Sequence, residues 1–318
     1  WILSSRFNRA DTGRRCVVTC GSRHIGSLSV SALPPRELCF EVDGLAYSGL
    51  AWGDPTWPIA LALHGWMDNA ASFSRLGPLL KHHQIIALDL SGHGLSSHRS
   101  VDATYQIWDD IPQLVSIVDQ LSCETVSVIG HSKGAAIAAL LAAVLGDRCD
   151  HLVMIDGFLP KAVESEDAPQ QLLRFVRDRQ KYTARPDRHF DSLAGFIEKR
   201  TQYGFSEDNA RVFAPRALES VADGLRMRND PRLFGASAVK LDGKMCEQFY
   251  GALSVPTLCI LGEEGFFIRG RGRRIRDEAA AAISDFRSAI FPGSHHVHLE
   301  HSAELVALRI DTFLETSQ

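Results

Sequence analysis

No run of the 318-residue chain approaches the roughly 18–20 consecutive apolar residues that a bilayer-spanning helix needs. The longest mostly apolar stretch, "GAAIAALLAAVLG" at 134–146, is too short and reads as a buried helix. The seven cysteines (Cys16, Cys20, Cys39, Cys123, Cys149, Cys246 and Cys259) are odd in number and include no Cys-x-x-Cys pair. That argues against a disulfide scaffold and for reduced thiols in an intracellular, cytoplasmic setting. Positive charge is not in excess: 34 Lys and Arg stand against 38 Asp and Glu, a formal net charge of −4. Nothing in that balance favours nucleic acid or an acidic membrane surface as partner. Internal repeats, low-complexity tracts and a secretory hydrophobic region are also missing.

Charge is nonetheless uneven. Residues 1–36 hold Arg6, Arg9, Arg14, Arg15, Arg23 and Arg36 against a single acid, Asp11, and six serines. Arg-rich, Ser-rich and acid-poor is the composition of an organelle transit peptide. The segment is expected to be a disordered basic leader outside the fold, with organelle targeting as its functional alternative. The rest of the chain suffices for one large domain with an insertion or for two small ones.

From residue 37 a pattern emerges. "ELCFEVDGLAYSGLAWG" carries two strand-like runs around Asp43-Gly44, a hairpin signal. Short apolar strands follow at "PIALAL", "QIIALDL", "TVSVIG", "HLVMID", "PTLCILG" and "FRSAIF". Between them lie helical stretches. In 105–121, Ile107, Ile111, Leu114, Val115, Val118 and Leu121 share one face, and Pro112 implies a kink or a later start. Nearly all-apolar strands alternating with helices predict an α/β fold, a mostly parallel central sheet covered by helices on both faces. Between 160 and 250 the alternation stops, and amphipathic, charge-rich stretches predict a helical cap of about 80–90 residues inserted in the core. The expected organisation is a core of 37–158 and 251–318 with a cap at 159–250.

The sharpest local feature is "VIGHSKGAAIAAL". A buried strand ends at Gly130, a helix follows Gly134, and between them stands Gly-x-Ser-x-Gly, the nucleophile elbow. The spacing has a physical cause. Ser132 must sit on a tight, strained strand-to-helix turn, and small residues two positions to either side let neighbouring backbone pass. The helix N-terminus behind it favours developing negative charge. A serine also needs a base and donors for an oxyanion. The elbow supplies the Lys133 N–H, and the loop "HGW" supplies the Trp66 N–H. One such donor is worth about 10²–10³ in rate.

Together His64-Gly65-Trp66, "DLSGHGLSS" at 89–97, the Ser132 elbow and "PGSHHVHLEHSAELVALRIDTFL" resemble the α/β-hydrolase fold superfamily over about residues 37–318. Within it, "LHGWMDNAASFSRLGPLL" with "DLSGHGLSSH" looks most like the serine hydrolase-like proteins and their bacterial relatives, presumed hydrolases of poorly defined substrate. The resemblance implies that His295 is the base, since Gly293-Ser294-His295 with Glu300 five residues on matches the family's terminal motif; His296 fits less well. His295, His296, His298 and His301 are not read as a metal site, because no carboxylate–histidine helix motif accompanies them. His64 and His131 are read as packing residues, and Asp89 and His93 as stabilising the loop beside the oxyanion hole.

The third member is less direct. The family's usual acid stands three residues beyond the glycine that ends the strand after the insertion, and counting from Gly262 reaches Gly265. Glu263 and Glu264 flank that slot. Asp156, after the preceding strand, is the other candidate and the one favoured, because the serine hydrolase-like proteins carry an Asp there and lack the later one. Serine at the elbow excludes the carboxylate-nucleophile chemistry of haloalkane dehalogenases and epoxide hydrolases. The expected function is hydrolysis of an ester, thioester or related acyl bond of a small molecule through an acyl-enzyme, with no cofactor and no metal. C–C bond hydrolysis, a lyase reaction or cofactor-free peroxidation on the same residues, and a non-catalytic binding protein of this fold, are the competing readings. Trp66, Phe158, Phe175, Phe196 and Phe205 are candidate substrate walls. The Lys133 side chain either packs on the elbow helix or favours an anionic substrate. The sequence sets no oligomeric state.

Overall fold

The computed structural model describes residues 34–160 and 163–315. The basic leader therefore lies, up to residue 33, outside the described residues. Arg36–Val42 (β1) and Leu45–Trp52 (β2) form the hairpin read around Asp43-Gly44. Both turn residues take positive φ, 52° and 75°, a turn whose twist suits paired strands and which Asp-Gly tolerates. Ile59–Leu63 (β3) and Gln84–Leu88 (β4) follow, then a helix at Ile111–Leu121 (α1). Pro112 lies in the first turn of α1, where its missing N–H costs nothing. The later start, not a kink, is what forms. Val126–His131 (β5), Lys133–Leu145 (α2) and Cys149–Ile155 (β6) complete the first half.

The next segment carries Ala168–Thr183 (α3), His189–Phe190 (β7), Leu193–Thr201 (α4), Glu207–Ala217 (α5), Leu218–Val221 (β8), Gly224–Met227 (β9) and Gly243–Gly251 (α6). Its three strands form a small antiparallel sheet in the order β7-β9-β8, so the segment is not purely helical as the sequence suggested. The strands are two to four residues long, too short to show a two-residue period. What holds them is cross-strand pairing: Glu219 stands opposite Arg226, which it binds, and accepts from Arg228 Nη1 at 2.9 Å. The helix α6 is different, since its Tyr250 packs into the core layer with α2.

Thr257–Gly262 (β10), Gly270–Ala282 (α7), Phe286–Phe291 (β11) and Ala303–Glu315 (α8) complete the described residues. The main sheet has eight strands in the order β1-β2-β4-β3-β5-β6-β10-β11. From β4 to β11 all neighbours are parallel; β1 and β2 run antiparallel at one edge. Alternate side chains point to opposite faces. In β3, Leu61 and Leu63 face α1 and α2, while Ala60 and Ala62 face Phe73, Leu76 and α8. Because both faces are covered, the central strands carry no polar face, which is why they read as unbroken apolar runs. No helix among the described residues is long and apolar enough to cross a membrane.

Candidate active site

A single residue, Ser132, separates β5 from α2, with φ 54° and ψ −118°. An L-residue pays for that conformation, and the surrounding contacts enforce it. Its N–H donates to the Ile155 carbonyl at 3.0 Å, tying the elbow to β6. A Cβ at Gly134 would stand 2.1 Å from the Leu63 carbonyl oxygen, and one at Gly130 would stand 2.3 Å from the Gly134 oxygen. Only glycines let α2 descend this close to β3 and β5.

Three residues distant in sequence meet here. His295 Nε2 lies 2.8 Å from Ser132 Oγ, and His295 Nδ1 lies 2.5 Å from Asp156 Oδ2. Asp156 is fully buried at the end of β6, with φ 38°. Its Oδ2 also accepts the Phe266 N–H at 3.1 Å. The loop bearing His295 is clamped by Glu300, whose carboxylate accepts the Ser294 N–H at 2.7 Å and binds the Ser294 hydroxyl. Glu263 and Glu264 are exposed, and they serve the same loop through backbone: their N–H groups donate to the Phe291 and Gly293 carbonyls, both at 2.9 Å. Gly265 has a steric explanation. A Cβ there would fall 2.3 Å from Asp156 Oδ1, so the slot beyond β10 is filled by the carboxylate reaching over from β6.

Lys133 opens α2, so its N–H is among the four that a helix leaves without an internal acceptor. Neither it nor the Trp66 N–H has an acceptor among the described residues. The Trp66 ring is half exposed, donates Nε1–H to the Leu233 carbonyl at 3.0 Å and meets Phe234 edge-on. Behind it, Asp89 accepts the Ala70 N–H at 2.6 Å and the Leu95 N–H at 2.7 Å. His64 accepts the Leu90 N–H at Nε2. These contacts fix the loops on either side of residues 65–68.

A cavity of about 380 Å³ opens in front of Ser132. Its walls are largely aromatic, from Trp66, Phe190, Phe196, Tyr203, Phe205, Phe234 and Phe266, with Arg188 and Lys199 also at its lining. A second cavity, about 210 Å³, reaches Ser132 from the other side and is lined by Lys133, Ile107 and Phe267. Phe158 belongs to this second space, edge-on to Phe267, and not to the main cavity. Phe175 lines neither; it borders a small separate pocket beside Tyr182. A larger cavity, about 1000 Å³, lies between α6 and α7, away from Ser132.

Asp68 and Arg200 were not singled out from the sequence, and His296 figured there only as the poorer base and as one of a histidine cluster; all three line the main cavity. Asp68 is buried and receives Arg200 Nη2 at 2.8 Å. Burial alone would raise its carboxyl, but His296, Arg200 and His131 together hold it well below the usual carboxylate range. An acid two residues beyond the oxyanion loop was the available signal; its partner, on α4, was not. Burial pushes the Lys133 amine down from its ordinary value.

Buried histidines surround the site. His298 sits 3.0 Å from Ser72 Oγ, and burial, then the neighbouring His296, push its imidazole down to about 3 from 6.5. Burial likewise lowers His64, His93 and His131. Above pH 6.5 the folded and unfolded chains both hold His298 neutral. Below it, the unfolded chain takes up a proton that the folded chain refuses, so stability falls by about 1.4 kcal/mol per pH unit until pH about 3. The other three act with the same sign. The urea midpoint is therefore expected to drop between pH 7.5 and 5.5, and His298→Asn to make the drop shallower; a midpoint that does not move over that range contradicts the argument.

A model of the alpha/beta hydrolase fold family matches residues 60–302. A probable serine hydrolase of Drosophila melanogaster is 41% identical over 277 residues, 83% of each chain. Serine hydrolase-like protein 2 of Homo sapiens is 27% identical over 283 residues, covering 83% of this chain and 89% of the human one. The crystal structure of a hypothetical protein from Pseudomonas aeruginosa PAO1 superposes with a TM-score of 0.80 at 32% identity, covering 87% of this chain and 97% of that one. With the sheet order, the elbow and a family match spanning three quarters of its length, the chain belongs to the α/β hydrolase fold family.

Proposed function

We propose that the protein is a serine hydrolase acting on an ester, thioester or related acyl bond of a small molecule. The observation that carries this is the unbroken relay from Asp156 Oδ2 through His295 to Ser132 Oγ, at 2.5 and 2.8 Å. Ser132 Oγ attacks the acyl carbon while His295 Nε2 takes its proton. Asp156, bonded to the opposite ring nitrogen, stabilises the imidazolium. The oxygen that gains charge is received by the Lys133 and Trp66 N–H groups. His295 then protonates the leaving alcohol or thiol, and the acyl group stays on Ser132. Water, deprotonated by His295, attacks the acyl-enzyme and releases the acid.

The segment between β6 and α6 acts as a cap in this reading. Its aromatic side chains would receive an apolar portion of the substrate, and the space beside Lys133 would take the other portion. Arg188, Lys199 and Lys133 favour a substrate that carries negative charge away from the reacting carbonyl. The test is covalent labelling with a fluorophosphonate probe, with the adduct mapped by mass spectrometry. Wild-type protein is expected to be labelled at Ser132 and to hydrolyse members of a p-nitrophenyl ester panel, and Ser132→Ala to do neither. Folded wild-type protein that resists the probe, or a Ser132→Ala variant labelled equally well, would sink the proposal.

A further inference from the structure

Beside the candidate triad, three side chains that the reaction does not use converge on one point. Asp68 Oδ2 lies 3.4 Å from His296 Nε2 and 3.7 Å from His131 Nδ1, and the three atoms all lie within 4.8 Å of one another. The His131 contact decides how the cluster is read. His131 is fully buried, and its Nε2 lies 3.0 Å from the backbone carbonyl of His295. A carbonyl only accepts, so Nε2 carries the proton and Nδ1 presents a lone pair. That lone pair has no hydrogen-bond partner among the described residues. It faces a carboxylate oxygen, a second acceptor, at a distance too long for a hydrogen bond. Two buried acceptors thus face one another, and a cation bound between them would displace the proton that His296 Nε2 shares with Asp68.

We propose that Asp68, His131 and His296 form a binding site for a divalent transition-metal ion, and that its occupation inhibits the protein. Two imidazoles and one carboxylate are a ligand set for Zn²⁺, Co²⁺ or Cu²⁺, not for Mg²⁺ or Ca²⁺, which take oxygen ligands. Ligands about 2.0–2.1 Å from a tetrahedral ion stand roughly 3.3–3.4 Å apart. The two contacts of Asp68 are within a few tenths of an ångström of that spacing. The outer contacts are also those of a metal site: His131 donates its other N–H to a carbonyl, and Asp68 Oδ1 is held by Arg200 at 2.8 Å. All three residues line the main cavity, which gives the ion a route in. Arg200 offsets the charge of Asp68, so the affinity is expected to be micromolar and not that of a structural zinc site. The rings of His131 and His296 lie 4.7 and 5.1 Å from that of His295. A dication between them opposes the positive charge that His295 must accept during acyl transfer.

The binding site and its cobalt titration are independent of the reaction proposed above; the inhibitory role rests on that reading and is tested separately. Co²⁺ is titrated into Ser132→Ala protein and followed by its visible absorption, with serine replacing Cys39, the exposed thiol among the described residues, and also Cys16 and Cys20. One Co²⁺ per chain, displaced by Zn²⁺ and not by Mg²⁺, is expected, with a spectrum lacking thiolate charge transfer. His296→Phe and Asp68→Asn, each checked for folding by circular dichroism, are expected to weaken binding roughly tenfold or more. In wild-type protein Zn²⁺ is expected to slow fluorophosphonate labelling, and a chelator to restore it. No spectral change at millimolar Co²⁺, or binding unaltered in both variants, would overturn the site. Binding that leaves the labelling rate unchanged would overturn its inhibitory role.

Discussion

Asp156→Asn is expected to lower turnover about 10⁴-fold while leaving the thermal midpoint nearly unmoved. The carboxylate accepts the His295 Nδ1–H, which leaves Nε2 as the lone pair facing Ser132. An asparagine amide can turn its NH₂ toward Nδ1 instead. That reverses the ring's tautomer and points an N–H at the serine, which cannot then lose its proton. Stability responds differently. Asp156 Oδ1 is buried with no hydrogen-bond partner among the described residues, so exchanging a desolvated charge for a neutral amide is close to neutral for the fold. The same geometry predicts a rescue. Because a Cβ at residue 265 points at the site of Asp156 Oδ1, Asp156→Gly combined with Gly265→Asp returns a carboxylate to the same space. The double variant is expected to exceed Asp156→Gly in turnover by tenfold or more. Ester turnover within tenfold of wild type in a folded Asp156→Asn variant would show that the acid has another identity.

These residues were not equally legible. Ser132 could be read locally, because strand, glycine, serine, glycine and helix are contiguous and the turn they imply is set by steric limits on neighbouring residues. His295 was reached only through the family's terminal motif. It meets Ser132 across 163 residues of chain, a separation at which neither periodicity nor spacing carries information. The acid was harder. Counting showed that Gly265 occupied the expected slot, but why a glycine stands there is a collision between two loops, visible only once β6 and β10 lie side by side. Asp68 was overlooked because its partners come from α4, β5 and the loop after β11. The core strands were read well, since burial on both faces writes itself into composition. β7, β8 and β9 were missed, since they are short, partly exposed and stabilised by side-chain pairs that resemble any charged helix surface.

Arg216 gives the largest expected loss of stability. It projects from α5 into the edge of the main sheet and is almost wholly buried. Its guanidinium binds Asp89 through Nη2 at 2.8 Å and Nε at 3.1 Å, Glu37 through Nη1 at 2.8 Å to both oxygens, and Ser48 Oγ at 2.8 Å. Burial alone would lower its pKa, yet Asp89 and Glu37 raise it. The two acids do not count equally. Glu37 lies on the edge strand with its side chain about half exposed, so water replaces most of what it loses. Asp89 is fully buried, and without Arg216 it keeps only the N–H groups of Ala70 and Leu95. Stranding such a charge costs about 3–5 kcal/mol, a large part of the 5–15 kcal/mol typical of a folded domain. Arg216→Met is therefore expected to lower the thermal midpoint by roughly 10 °C. Arg216→Lys should recover little of this, because a single ammonium cannot reproduce a fork spread over three partners. Asp89→Asn in the Arg216→Met background should recover a good part, because it removes the stranded charge while retaining an acceptor for Ala70. The coupling is thus the decisive quantity: a double variant as unstable as the sum of the two single ones, or an Arg216→Met loss below about 1 kcal/mol, would mean that this contact between α5 and the sheet is only a surface ion pair. A large coupling would mean that the acid steadying the loop beside Trp66 depends on a side chain from the inserted segment, so that loosening this segment would also loosen the oxyanion side of the candidate site.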